Sequence, residues 1–245
     1  MCSMNKVFGS QFSKNLLEGS GAKFRAPTPG PENLLVDWCI GNSPFEKDDG
    51  YQTIVFKEPR IRSGFPDLVI VSWDANAANW WPVSRMTLTE SDIRLMHFLA
   101  CEGSVAESGL DLLQLASLNQ SLMRLEGCEM IRQTKNRRWT LAAKLHDLFA
   151  IRQLIAVEAK MQAGQRVLDQ AFANTWFAPA SYVLLPKQPG NDILRKAKDL
   201  GIGILTKADG VLLSPPTREL RARKPRSYAS WMFNELIWKN GHLNV

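Results

Sequence analysis

The chain has 245 residues, enough for one or two domains with a sizeable core. Its 45% hydrophobic and 22% charged residues are ordinary for a soluble globular protein, and no internal repeat or low-complexity tract is apparent along the chain. A net charge of +6, from 30 Lys and Arg against 24 Asp and Glu, mildly favours an anionic partner such as nucleic acid.

The opening residues MCSMNKVFGSQF lack the apolar core of a secretory signal, and no apolar run is long enough to span a bilayer. The expectation is a cytoplasmic protein with no membrane partner. Cys2, Cys39, Cys101 and Cys128 are widely spaced with no CxxC pair, so they read as free thiols and not as a zinc site or a disulfide framework.

Residues 1 to about 30 are weakly patterned and end in the stiff segment APTPGP. Pro31 suits the first turn of a helix, PENLLVDWCIG, with Leu34, Leu35, Trp38 and Cys39 on one stripe and Glu32 in the first turn. Tyr51 to Arg60 predicts a strand, and Phe65 to Trp73 a second, with Asp67 at its start. An ionised Asp entering so apolar a strand is unusual, unless it bonds turn amides.

Composition changes near residue 84. Thr89 to Asp92 resembles a helix N-cap, and the helix ends near Gly103 with Leu95, Phe98 and Leu99 towards the core. His97, at the edge of that stripe, reads as packed or partly exposed and not as a ligand. A short helix at about 105–115 and a third, Leu118 to Glu126, follow. Met130 to Gln133 and Arg138 to Leu141 then form a hairpin. Three helices and a two-stranded wing resemble a winged helix-turn-helix domain. That resemblance implies a third helix in the major groove, through Asn119, Gln120, Ser121 and Arg124, and a wing touching phosphates through Lys135, Arg137 and Arg138. A protein-binding winged helix with solvated charges is the alternative.

Arg152 to Met161 reads as a buried central strand, because Leu154 to Val157 is an unbroken apolar run. Glu158 and Lys160 follow, two residues apart and expected on one side of the strand. A helix at 164–177, a strand at Ser181 to Leu185 and a helix at Asn191 to Leu200 come next. Two short strands then surround an Asp209-Gly210 turn. A basic run (Arg218, Arg221, Arg223, Lys224, Arg226), either a phosphate grip or a solvated linker, leads into an amphipathic helix at 227–240 with Trp231, Leu236 and Trp238.

Without the middle segment, the order is helix, strand, strand, strand, helix, strand, with Pro66-Asp67 on the second strand and Glu158-Ala159-Lys160 on the third. This resembles the PD-(D/E)xK nuclease superfamily, the restriction-endonuclease-like fold, over about 32–206 excluding the insert. The fold class expected is α/β: a mixed sheet core flanked by helices, built from 1–83 and 144–245, with a winged-helix domain inserted at 84–143. Two neighbouring carboxylates, Asp67 and Glu158, repel without a cation between them, and their oxygens suit Mg²⁺ or Mn²⁺. Lys160 would orient a water or neutralise transition-state charge. The resemblance also implies an acid from the first helix, Glu32 or more weakly Glu18, a ligand role for the Ala159 carbonyl, and a supporting role for Gln170. Gln170 also reads as a helix-surface glutamine.

The expected activity is Mg²⁺-dependent DNA endonuclease, directed to DNA by the insert. The alternatives are an inactive DNA-binding regulator and a nuclease that works only with partner subunits. Cutting both strands would favour a homodimer. The bland alternative for the trio is a solvated carboxylate at one strand and a Glu-Lys ion pair at another.

Overall fold

The structure, a computed structural model, describes residues 6–8, 24–42, 44–45, 50–62, 64–215 and 225–242. Glu18, Arg218, Arg221, Arg223 and Lys224 lie outside the described residues. The first elements are β1 (Lys6–Phe8), α1 (Pro31–Asn42), β2 (Gln52–Lys57), β3 (Leu68–Trp73) and α2 (Ala75–Ala78). A 3-10 turn at Val83–Thr87 precedes α3 (Glu90–Glu102), β4 (Ser104–Ala106), α4 (Glu107–Leu110), α5 (Leu118–Gly127), β5 (Ile131–Gln133), β6 (Arg138–Leu141) and α6 (Leu145–Leu148). The chain continues through β7 (Ile151–Ala159), α7 (Gln165–Asn174), β8 (Ala180–Leu185), α8 (Asn191–Asp199), β9 (Gly203–Thr206), β10 (Gly210–Leu213) and α9 (Tyr228–His242).

These elements form two compact units, one from the described residues up to Trp73 and from Ile151 to 215, the other from Asp74–Ala150 and 225–242. The first is a mixed sheet flanked by helices, in the order β1-β2-β3-β7-β8-β9-β10. β7, β8 and β9 run parallel, joined by α7 and α8, while β2, β3 and β7 are antiparallel. β7 sits at the centre because Leu154 to Val157 are apolar on both faces and all four are buried. Ile155, Val157 and Ala159 pack with Leu35, Val36 and Cys39 of α1 on one face. On the other face, Val183 and Leu185 of β8 pack with Val167, Leu168 and Ala171 of α7 and Ala197 of α8. The buried stripe of α1 is therefore Leu35, Val36 and Cys39; Leu34, expected within it, is 69% exposed.

The second unit has a three-stranded sheet, β4-β6-β5, with α3 packed against α5 and α9. Helix α3 starts as the sequence predicts: Thr89 N and Oγ1 both donate to Asp92 Oδ2. The helix expected at 105–115 is instead the strand β4, the single turn α4 and a 3-10 turn at Asp111–Leu113. Pairing of Val105 with Trp139 overrides a weak local preference.

The boundaries also differ from those expected. The helix α9, placed with the core by the sequence, packs with 74–150. There Glu235 takes two hydrogen bonds from Arg85 (2.6 and 3.0 Å), and Asn234 Oδ1 accepts from the Ala150 amide (2.8 Å). Among its described side chains α9 shows no solvated polar face: Asn234, Glu235 and Lys239 are buried, as are Trp231 and Leu236. Among the described residues no helix is long and apolar enough to cross a membrane.

Candidate active site

The apolar run of β7 ends in two residues that do not belong to a core, Glu158 and, just past the strand, Lys160. β3 pairs antiparallel with β7, Leu68 opposite Val157, so the residue entering β3, Asp67, lies beside the end of β7. Asp67 Oδ2 accepts the Ala159 amide at 2.7 Å. Asp67, Glu158, Lys160 and Gln170 thus line one cleft of about 620 Å³, together with Arg25, Arg166, Asp169 and Asn174.

The two acids are held differently. Glu158 is 6% exposed and takes a 2.7 Å hydrogen bond from Asn174 Nδ2. Burial, then the charge of Asp67, push its carboxyl up to about 7, against the pull of Asn174, Lys160 and Arg25. The Asp67 carboxyl is also raised, by burial first and then by Glu58 and Glu32, while the Ala159 amide and Lys160 act the other way.

Lys160 Nζ donates to Glu32 Oε2 at 2.9 Å. The sequence expects Glu158 and Lys160 to project the same way from one strand. Instead β7 stops at Ala159, and past its end Lys160 bonds to α1 while Glu158 bonds to α7, the helices of opposite faces. Glu32 is therefore brought to the cluster as the partner of Lys160. Gln170 lines the cleft with a buried Oε1 that has no hydrogen-bond partner among the described residues, which departs from a helix-surface glutamine.

Three participants are not evident in the sequence. Glu58 follows β2 with φ 50°, and its amide donates to the Asp67 carbonyl at 3.0 Å. Its buried carboxylate is paired with Arg25, which also stacks over Phe65 at 5.1 Å. Asn174 carries a signal in hindsight: it lies three residues after Ala171 and seven after Val167, on the apolar stripe of α7, where a polar side chain needs a partner.

The residues expected to read DNA divide. On α5, Asn119 and Gln120 are exposed, but Ser121 is fully buried, four residues before Leu125 on the core stripe. Arg124 is turned to Asp92, with Nε and Nη2 each 2.9 Å from its carboxylate. Burial alone would raise the Asp92 carboxyl; hydrogen bonds from Arg124, Ser121 and Thr89 hold it below its usual value. Ser121 is thus inward-facing, while Arg124, its side chain 30% exposed, is paired with Asp92. Lys135, Arg137 and Arg138 are exposed around the β5–β6 turn, with Arg138 bonded to Ser104.

Among the described residues there is no group of three or more His, Cys, Asp or Glu arranged to hold a metal; Asp67, Glu158 and the Ala159 carbonyl are the oxygen donors gathered at the end of β7. No protein-family model matches the chain, and no curated protein or solved structure matches it either.

Proposed function

We propose that the chain is a divalent-metal-dependent DNA endonuclease with a restriction-endonuclease-like core and a winged-helix module. The observation that carries this reading is the meeting of Asp67, Glu158 and Lys160 in one cleft, from two strands far apart in sequence. Asp67 raises the proton affinity of Glu158, and a cation between the two carboxylates relieves that repulsion. Hard oxygen donors of this number suit Mg²⁺ or Mn²⁺, since Mg²⁺ keeps several waters and is usually held by one or two carboxylates plus phosphate oxygens. When bound, the ion would polarise a phosphoryl oxygen and acidify a water.

The chain's own residues do the rest. Asp67 and Glu158 would hold the ion, and the Ala159 carbonyl leaves β7 on the same edge as its amide, towards Asp67. Lys160 supplies a positive charge at the cleft, where negative charge grows on the phosphate. Arg25 and Arg166 line the same cleft and suit an anionic backbone. The succession α3, β4, α4, α5, β5, β6 supports the winged-helix reading. The exposed Asn119, Gln120, Lys135 and Arg137 are its candidate DNA contacts.

The test is supercoiled plasmid incubated with purified protein and Mg²⁺, Mn²⁺ or chelator, beside Lys160→Ala and Asp67→Asn. Metal-dependent nicking or linearisation absent from both variants is expected. Intact plasmid in every lane, with duplex binding retained, would overturn the nuclease and favour a regulator or a subunit that needs a partner.

A further inference from the structure

The cleft acids are each anchored through one oxygen. Asp67 uses Oδ2, on the Ala159 amide, and Glu158 uses Oε1, on Asn174. The second anchor is built with some care. Asn174 is 3% exposed, and its carbonyl accepts the amides of Phe177 and Ala178 at 3.2 and 3.0 Å, closing α7. The helix is tied in turn to β8, where Ser181 Oγ donates to the Ala171 carbonyl at 2.7 Å. Asn174 shares the buried side of α7 with Val167, Leu168 and Ala171, where an aliphatic residue would be buried without desolvating a carboxamide. Among the described residues that carboxamide donates to the carboxylate of the cleft.

We propose that Asn174 is a positioning residue: it holds Glu158 through Oε1 in the orientation in which that carboxylate, together with Asp67, takes a divalent cation. This deepens the nuclease reading and rests on it. A carboxylate buried without such a donor swings between rotamers and meets a cation less often in the right pose. Partners of metal ligands commonly govern metal affinity by about 10- to 100-fold.

The test is Mn²⁺ titration calorimetry on the full chain, as wild type, Asn174→Leu, Asn174→Ala and Asn174→Gln, with Glu158→Gln as the ligand control. Leu keeps the volume and removes the donor, Ala removes both, and Gln keeps a donor on a longer arm. The Leu and Ala variants should weaken Mn²⁺ binding by about 10- to 100-fold. They should raise the Mn²⁺ needed for half-maximal nicking by the same factor, with the plateau rate largely kept at saturating metal. Gln should fall between them and wild type. A cooperatively melting Leu or Ala variant with wild-type Mn²⁺ affinity overturns the proposal and leaves the nuclease standing. Loss of the fold in both would make Asn174 a purely structural residue and overturn it as well. Wild type that neither binds Mn²⁺ nor nicks DNA would instead remove the metal reading itself.

Discussion

Lys160 Nζ donates to Glu32 Oε2 over 2.9 Å, although one residue follows the end of β7 and the other opens α1. The pair is partly exposed, so its worth to the fold is small, within about 1 kcal/mol. In the proposed reaction its part would be to orient the ammonium. Glu32→Gln should therefore leave the urea midpoint nearly unchanged and slow metal-dependent nicking by up to about 100-fold, the cost of a misplaced group. Equal losses of stability and activity would show that the contact matters only to folding.

Glu158 makes stability depend on pH. Its carboxyl rises from an ordinary 4.5 to about 7 in the folded chain. Between those values the folded state holds the proton and the unfolded chain has released it, so stability falls as pH rises through this window, by about 3 kcal/mol in total. Urea titrations from pH 4.5 to 7.5 should show that slope, and Glu158→Gln should flatten it and raise stability at pH 7.5. Millimolar Mg²⁺ should offset the loss in the wild type and not in the variant.

Arg85 and Glu235 are both about 1% exposed, and Arg85 lies 3.5 Å from the centroid of the Trp81 ring. Removing one member leaves a buried charge unmatched. Glu235→Leu or Arg85→Met should cost about 3–5 kcal/mol by chemical denaturation, while the double replacement should recover much of that loss.

Arg124 and the basic turn should separate in a binding assay. Lys135→Ala and Arg137→Ala together should weaken duplex binding and lower its salt slope by about 2, with stability unchanged. Arg124→Ala should instead lower the melting temperature and leave the salt slope alone, because its guanidinium is committed to Asp92.

Asp67, Glu158 and Lys160 were legible because each interrupts or ends an apolar run, and a strand period is enough to place them. The alternation argument failed for Lys160 because the strand stops one residue earlier. Glu58 and Arg25 were not legible, since a charged residue after a strand looks solvated until its distant partner is known. β1 and β4 are three residues each, too short for a period, and exist through pairing with β2 and β6. Ser121 was legible and misassigned: its spacing to Leu125 marks the core stripe, but a hydroxyl suggests a surface. The polar residues of α9 mimic a solvated face for the same reason, their partners being remote in the chain.

The assembly of the second unit from 74–150 and α9 has a consequence for synthesis. A nascent chain that has emerged only to Ala150 carries Arg85 without Glu235 and the Ala150 amide without Asn234. That stretch must wait, unfinished, while the whole β7-to-β10 segment is translated, and becomes complete only when α9 leaves the ribosome. A recombinant piece cut at 84–143 would carry Arg85 without Glu235 permanently, whereas one that joins 74–150 to 225–242 through a flexible linker supplies the missing helix.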